Sequence, residues 1–112
     1  METMTFRKNG VVIITPEGEL DVYTSSQVKE IIDGELGQGR AQMVVNLQKV
    51  TYMDSSALGV LVSGLKSARR LNGSLKLACL GKSVDRIFQL TRLTKFFEIY
   101  NSEEAALASF KA

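Results

Sequence analysis

Histidine is absent from this 112-residue sequence, and cysteine and proline occur once each, as Cys79 and Pro16. Without histidine there is no imidazole to act as acid or base, and one cysteine makes neither a disulfide framework nor a Cys/His zinc site. No apolar stretch approaches the roughly 20 residues that cross a bilayer. The opening METMTFRKNG is polar and lacks the apolar core of a signal peptide, so a soluble cytoplasmic protein without membrane insertion is expected. No run of like charge exceeds Arg69-Arg70, and 14 Lys and Arg against 12 Asp and Glu leave a net charge of +2. A surface that tracks nucleic-acid phosphates carries a larger basic excess gathered on one face, so direct nucleic-acid binding is not expected.

What remains is clear periodicity in a chain sized for one domain, residues 1–112, with 45% hydrophobic content for one ordinary core. Met4 to Arg7 and Val11 to Thr15 read as strands joined by Lys8-Asn9-Gly10, and Asn-Gly is a strong hairpin signal because both residues tolerate positive φ. Pro16-Glu17-Gly18 breaks that pattern. Thr24 with Gln27 three residues on reads as a capping box. Val28, Ile31, Ile32 and Leu36 then form the stripe of an amphipathic helix that Gly37 and Gly39 end.

Met43 to Leu47 is a nearly continuous apolar run, the pattern of a strand covered on both faces. Leu58, Leu61, Val62, Leu65 and Ala68 recur at helical spacing until Asn72-Gly73. Leu75 to Leu80 is another strand, with Cys79 a small core residue in it. Ser83 caps a short helix that turns Val84, Ile87 and Phe88 inward. Phe96 to Tyr100 reads as a last strand, with Phe88, Phe96 and Phe97 in the core and Phe97 or Tyr100 the alternatives for solvent exposure. Ser102-Glu103-Glu104 opens a final helix to about Phe110.

The order β-β-α-β-α-β-α-β-α predicts an α/β fold with a mixed, mostly parallel sheet of about five strands and about four helices. In such sheets partners and ligands meet the loops at the carboxyl ends of strands, here Gly18 to Thr24 and Tyr52 to Ser56.

The second loop lies in the stretch VTYMDSSALG, residues 50 to 59. Asp54, Ser55 and Ser56 stand where a helix begins, and each is a good N-cap. One residue suffices as a cap, and three candidates are present. A phosphate on Ser55 would sit at a helix N-terminus, where free N–H groups and the dipole favour anions, so the fold would tolerate it while a docked partner would not. The residues alone leave both readings open. Gly59 and Gly64 are either close-packing positions or, for Gly59, a place under a partner. Gly81-Lys82-Ser83 imitates the end of a phosphate-binding loop, but Lys76 stands where the first glycine is required, which excludes it.

Gly18-Glu19-Leu20-Asp21, the strand ending in Asn46-Leu47, and Val50 to Gly59 with its Asp-Ser-Ser-x-Leu-Gly core together resemble the anti-sigma-factor antagonist branch of the STAS domains. The resemblance covers nearly the whole chain, at the length of stand-alone members. It implies a STAS-like fold, no catalysis, no cofactor or metal, and a part in sigma-factor regulation in stress response or sporulation. By that matching Ser55, directly after the aspartate, is the phosphorylation site. Asp21, Asp54, Ser56, Ala57 and Gly59 would line the partner face, Ala57 standing where such proteins often carry glycine.

The implied partners are an anti-sigma factor with serine kinase activity, which brings its own ATP, and a serine phosphatase that acts on phospho-Ser55. The unphosphorylated chain would bind the anti-sigma factor and free the sigma factor, as a monomer or weak dimer. Two rivals accompany this reading. One is a STAS interaction subunit of a larger assembly, such as a stress-signalling scaffold or a lipid-transport ATPase complex; the other is a small hydrolase with Ser55 as nucleophile.

Overall fold

The computed structural model describes residues 3–110. β1 (Thr3–Lys8) and β2 (Val11–Pro16) pair antiparallel across Asn9 and Gly10, whose φ values of 54° and 80° give the two-residue turn that matches strand twist. The chain then runs through β3 (Gly18–Leu20), α1 (Val22–Gly37), β4 (Gln42–Asn46), β5 (Val50–Met53) and α2 (Ser55–Arg70). After these come β6 (Ser74–Ala78), α3 (Lys82–Leu90), a 3₁₀ turn at Leu93–Lys95, β7 (Ile99–Tyr100) and α4 (Glu103–Ala108). The main sheet has the order β1-β2-β4-β6-β7, parallel from β2 onward. This is the mixed, mostly parallel α/β sheet that the periodicity predicts.

Alternation along β4 explains its unbroken apolar run. Met43 and Val45 join Ile32, Leu61 and Phe88 in the larger cluster, while Val44 points to the opposite face and meets Val11, Ala78 and Ala106. Both faces of the strand are therefore dry. Gly64 is a close-packing position, because a Cβ there would stand 2.9 Å from Leu75 Cδ1 and 3.3 Å from Ile32 Cγ2. Gly59 is not: it is exposed, and a Cβ would meet nothing within 4 Å.

Several local expectations give way to tertiary context. Thr24 and Gln27 do not form the first capping box; Asp21 is the N-cap of α1 and Thr24 its third helical residue. Gly81, not Ser83, precedes α3. Cys79 lies past the end of β6, half-buried, with φ of 62°. β7 holds only Ile99 and Tyr100, Phe97 is buried edge-on against Phe88, and Phe96 is half-exposed beneath the Arg69 guanidinium at 5.7 Å.

One ion cluster fixes the hairpin to α1. Glu35 is 8% exposed and accepts from Arg7 Nε and Nη2, each at 2.8 Å, and from Arg40 Nε at 2.8 Å. Hydrogen bonds from Arg7 and then Arg40 hold its carboxyl down at about 2, against the desolvation that raises it. The folded value lies below the unfolded one, so the stabilisation is complete above the ordinary carboxylate range and fades as pH falls from about 4.5 towards 2. Both arginines keep solvent access, which screens the pair, so Glu35→Gln is expected to cost about 1–2 kcal/mol at neutral pH. Urea denaturation at pH 7 and at pH 3 checks this: the gap between wild type and variant narrows at the lower pH, and a constant gap would refute the assignment.

Candidate functional site

The two loops singled out in the sequence are brought together by a small sheet that periodicity does not reveal. β3 pairs parallel with β5, placing Leu20 opposite Met53, and the Asp54 N–H donates to the Leu20 carbonyl at 3.1 Å. Each paired residue is followed at once by an aspartate that starts a helix, so the amino ends of α1 and α2 emerge side by side. Gly18 makes the bend into β3 with φ of 93°, and its N–H reaches the Lys49 carbonyl at 2.9 Å.

Asp21 Oδ1 accepts from the backbone N–H groups of Tyr23 and Thr24, each at 3.0 Å, and the Thr24 hydroxyl accepts from Asp21 N–H at 2.9 Å. The Thr24 N–H is the largest cause of a carboxyl held below its ordinary range. Asp54 Oδ1 accepts from Ala57 N–H at 3.1 Å and caps α2 alone. That settles the redundancy of Asp54-Ser55-Ser56. The aspartate is the cap, and among the described residues no side chain or backbone group engages the exposed Ser55 hydroxyl.

Ser55 and Ser56 are the first two residues of α2, so their N–H groups have no intrahelical acceptor and point out of the helix end. Ser56 is half-buried. Ala57 is 2% exposed and packs into the core, so its side chain does not face a partner, contrary to its place in the expected partner face. Asp21, Ser55 and Gly59 are exposed and Asp54 half-exposed. Ser55 has no hydrogen-bonded base, which removes the geometry of an activated hydrolase nucleophile, and no group of residues that could hold a metal occurs among the described residues.

Three apolar side chains beside this site escaped the sequence reading. Val22 is 69% exposed, Tyr23 83% and Tyr52 48%. Val22 and Tyr23 open α1, and Tyr52 lies two residues before Asp54, so they surround the paired caps. Val22 and Tyr23, the two residues after the capping Asp21, were an available signal, since apolar side chains in this first turn have no core to enter. Tyr52 was hidden because β5 shows no strict alternation: Thr51 and Tyr52 are both exposed.

Known proteins share this fold. The STAS domain family model matches residues 3–106. The chain belongs to the STAS domain family. It is 37% identical over 86 residues to an anti-sigma-B factor antagonist of Listeria monocytogenes, covering 77% of this chain and 75% of the relative. It is 32% identical to one from Staphylococcus aureus over 87 residues, covering 78% and 81%. A crystal structure of a putative anti-sigma factor antagonist from Thermotoga maritima superposes with a TM-score of 0.90 at 29% identity, over 96% of this chain and 92% of that one. SpoIIAA in its unphosphorylated form shares the fold, with a TM-score of 0.85 at 23% identity over 96% and 95%. As a STAS domain the chain has no helix, among the described residues, long and apolar enough to cross a membrane.

Proposed function

We propose that this STAS domain is an anti-sigma-factor antagonist whose binding is switched by phosphorylation of Ser55. The unmodified chain binds an anti-sigma factor through the paired amino ends of α1 and α2 and so releases a sigma factor. A serine kinase activity in that partner, using ATP that the partner binds, phosphorylates Ser55 and ends the complex; a phosphatase restores it. The chain itself supplies no catalysis.

The observation that carries this reading is the division of labour at the start of α2: Asp54 is consumed as the cap, while the Ser55 hydroxyl is exposed and unengaged. The relatives named as anti-sigma-B factor antagonists support the partner class. Asp21, Asp54, Ser56 and Gly59 form the rim, and Val22, Tyr23 and Tyr52 supply the apolar contact that a specific interface needs at its centre.

Incubation with ATP and the anti-sigma factor from the same cells, followed by site-localised mass spectrometry, tests the assignment. One phosphoryl group on Ser55 in the wild type and none in Ser55→Ala is the expected result. A phosphate carried by Ser56, or one undiminished in Ser55→Ala, would sink it.

A further inference from the structure

The net charge of +2 conceals a segregation that the topology creates. Because β2, β4 and β6 are parallel, Val11, Gln42 and Ser74 stand in one row at the amino edge of the sheet, and the carboxyl ends of the helices return there. Lys8, Arg69, Arg70, Arg92 and Lys95 all belong to segments at this edge, beside Arg40, whose charge is spent on Glu35. Arg69 lies over Phe96, and Phe96 packs edge-on against Phe97, which touches Phe88 of α3, so the ends of α2 and α3 form one surface. The nearby carboxylates are already engaged: Glu35 by Arg7 and Arg40, Asp33 by Lys29, and Glu98 by Lys76. The opposite edge, with Glu17, Glu19, Asp21, Asp54 and Glu103 against Lys49 and Lys82, is acidic, while Glu104 lies between the two edges, lining one cavity with Lys8 and Gln42 and another with Asn46 and Glu103.

Two leucines project from the basic edge, Leu71 at the end of α2, 50% exposed, and Leu90 at the end of α3, 75% exposed. No core awaits either side chain. We propose that this edge docks the domain on an anionic lipid membrane, its cations meeting lipid phosphates and Leu71 and Leu90 entering the headgroup boundary. Cations interspersed with aliphatic side chains suit that interface. Single-stranded nucleic acid would call for exposed aromatic rings to stack on; the two most exposed, Tyr23 at 83% and Tyr52 at 48%, lie at the other edge, and here Leu90, at 75%, stands out further than Phe6, at 44%. Arg70 and Ser55 are the two ends of α2, about 22 Å apart at 1.5 Å per residue. A domain docked through its basic edge therefore keeps Ser55 turned to the aqueous side and open to partners.

Flotation of the full chain with vesicles of phosphatidylglycerol and phosphatidylcholine in equal parts, against phosphatidylcholine alone, tests this. Binding to the anionic vesicles only is expected, lost as salt rises from about 0.1 to 0.5 M. Arg70→Gln with Lys95→Gln should weaken it about 25-fold, five-fold per cation, and Leu90→Ser should weaken it further, while all variants keep the wild-type melting temperature. Ser55→Asp should leave it unchanged, which separates this surface from the partner face. Equal binding to both vesicle types, no binding to either, or undiminished binding by the double variant would overturn the proposal. So would capture of duplex DNA, an acidic polypeptide or a second copy of the chain in the absence of vesicle binding.

Discussion

Phosphorylated on Ser55, the domain should bind its anti-sigma factor at least about 100-fold more weakly than the unmodified chain, a loss of about 2.7 kcal/mol, while its melting temperature stays within about 2 °C. Ser55→Asp, with one charge instead of nearly two, should lose about ten-fold, and Ser55→Ala should bind as the wild type does. The two halves of this expectation have separate causes. Phosphate adds about −1.5 to −2 charges and strongly hydrated oxygens beside the apolar contact that Val22, Tyr23 and Tyr52 supply, so a partner seated there must desolvate it next to Asp54. Within the domain the same group faces the free N–H groups of Ser55 and Ser56 and the positive end of a 16-residue helix, which welcome an anion. Calorimetry of the three forms with the partner, paired with thermal unfolding of each alone, checks both halves. Equal affinities, or a loss of binding that tracks a loss of fold, would refute the switch.

That separation of binding from folding depends on Asp54. A serine used as its own cap would have its oxygen engaged with a helix N–H, and phosphorylation would then disturb the first turn. Here the Asp54 carboxylate accepts from Ala57 N–H, and the adjacent hydroxyl is free of structural duty. The sequence poses the question through its three consecutive cap candidates; only the structure assigns the roles.

Legibility along the chain follows the range of the interactions involved. The Asn9-Gly10 turn and the stripe of α1 were readable because their causes lie within a few residues. The parallel order of β4 and β6 followed from their apolar runs and the helix between them. β3 and β5 were not readable: three and four residues long, each has the other as its partner, from 30 residues away, and neither shows a period of its own. The site suffered for the same reason. Its two loops were named, but their adjacency, and with it the exposed Tyr23 and Tyr52, comes from that pairing. Ala57 was misplaced because the helix phase was carried over from a motif; the first turn of α2 rotates residue 57 under the sheet-facing side, while Gly59 faces out.

The glycines separate fold from function in the same way, and Gly73→Ala is expected to be among the most damaging small substitutions in the domain. A Cβ on Gly73 would lie 2.0 Å from the Ala41 carbonyl oxygen and 2.5 Å from its carbon. Backbone, not a flexible side-chain end, is in the way. That carbonyl accepts from Ser74 N–H at 2.9 Å, the contact that starts β6 alongside β4, and Gly73 N–H itself closes the end of α2 on the Ala68 carbonyl at 2.8 Å. Relief requires moving the α2–β6 connection away from the sheet, so a cost of about 3 kcal/mol is expected, with the melting temperature down by about 10–15 °C. Against a total stability of about 5–15 kcal/mol, partner binding would then fall only in proportion to the folded fraction.

Gly59→Ala makes the opposite case. Its Cβ meets open space within a helix interior, so the isolated domain should gain up to about 1 kcal/mol. If the partner seats on the first turns of α2, that same methyl group lowers affinity in a fully folded protein. Thermal unfolding of both variants, with partner titration at a temperature where both are folded, distinguishes a glycine kept for the fold from one kept for the interface. A Gly73→Ala protein as stable as the wild type would mean that the close approach to Ala41 is relieved without cost, and a Gly59→Ala protein with undiminished affinity would move the interface off the outer face of α2.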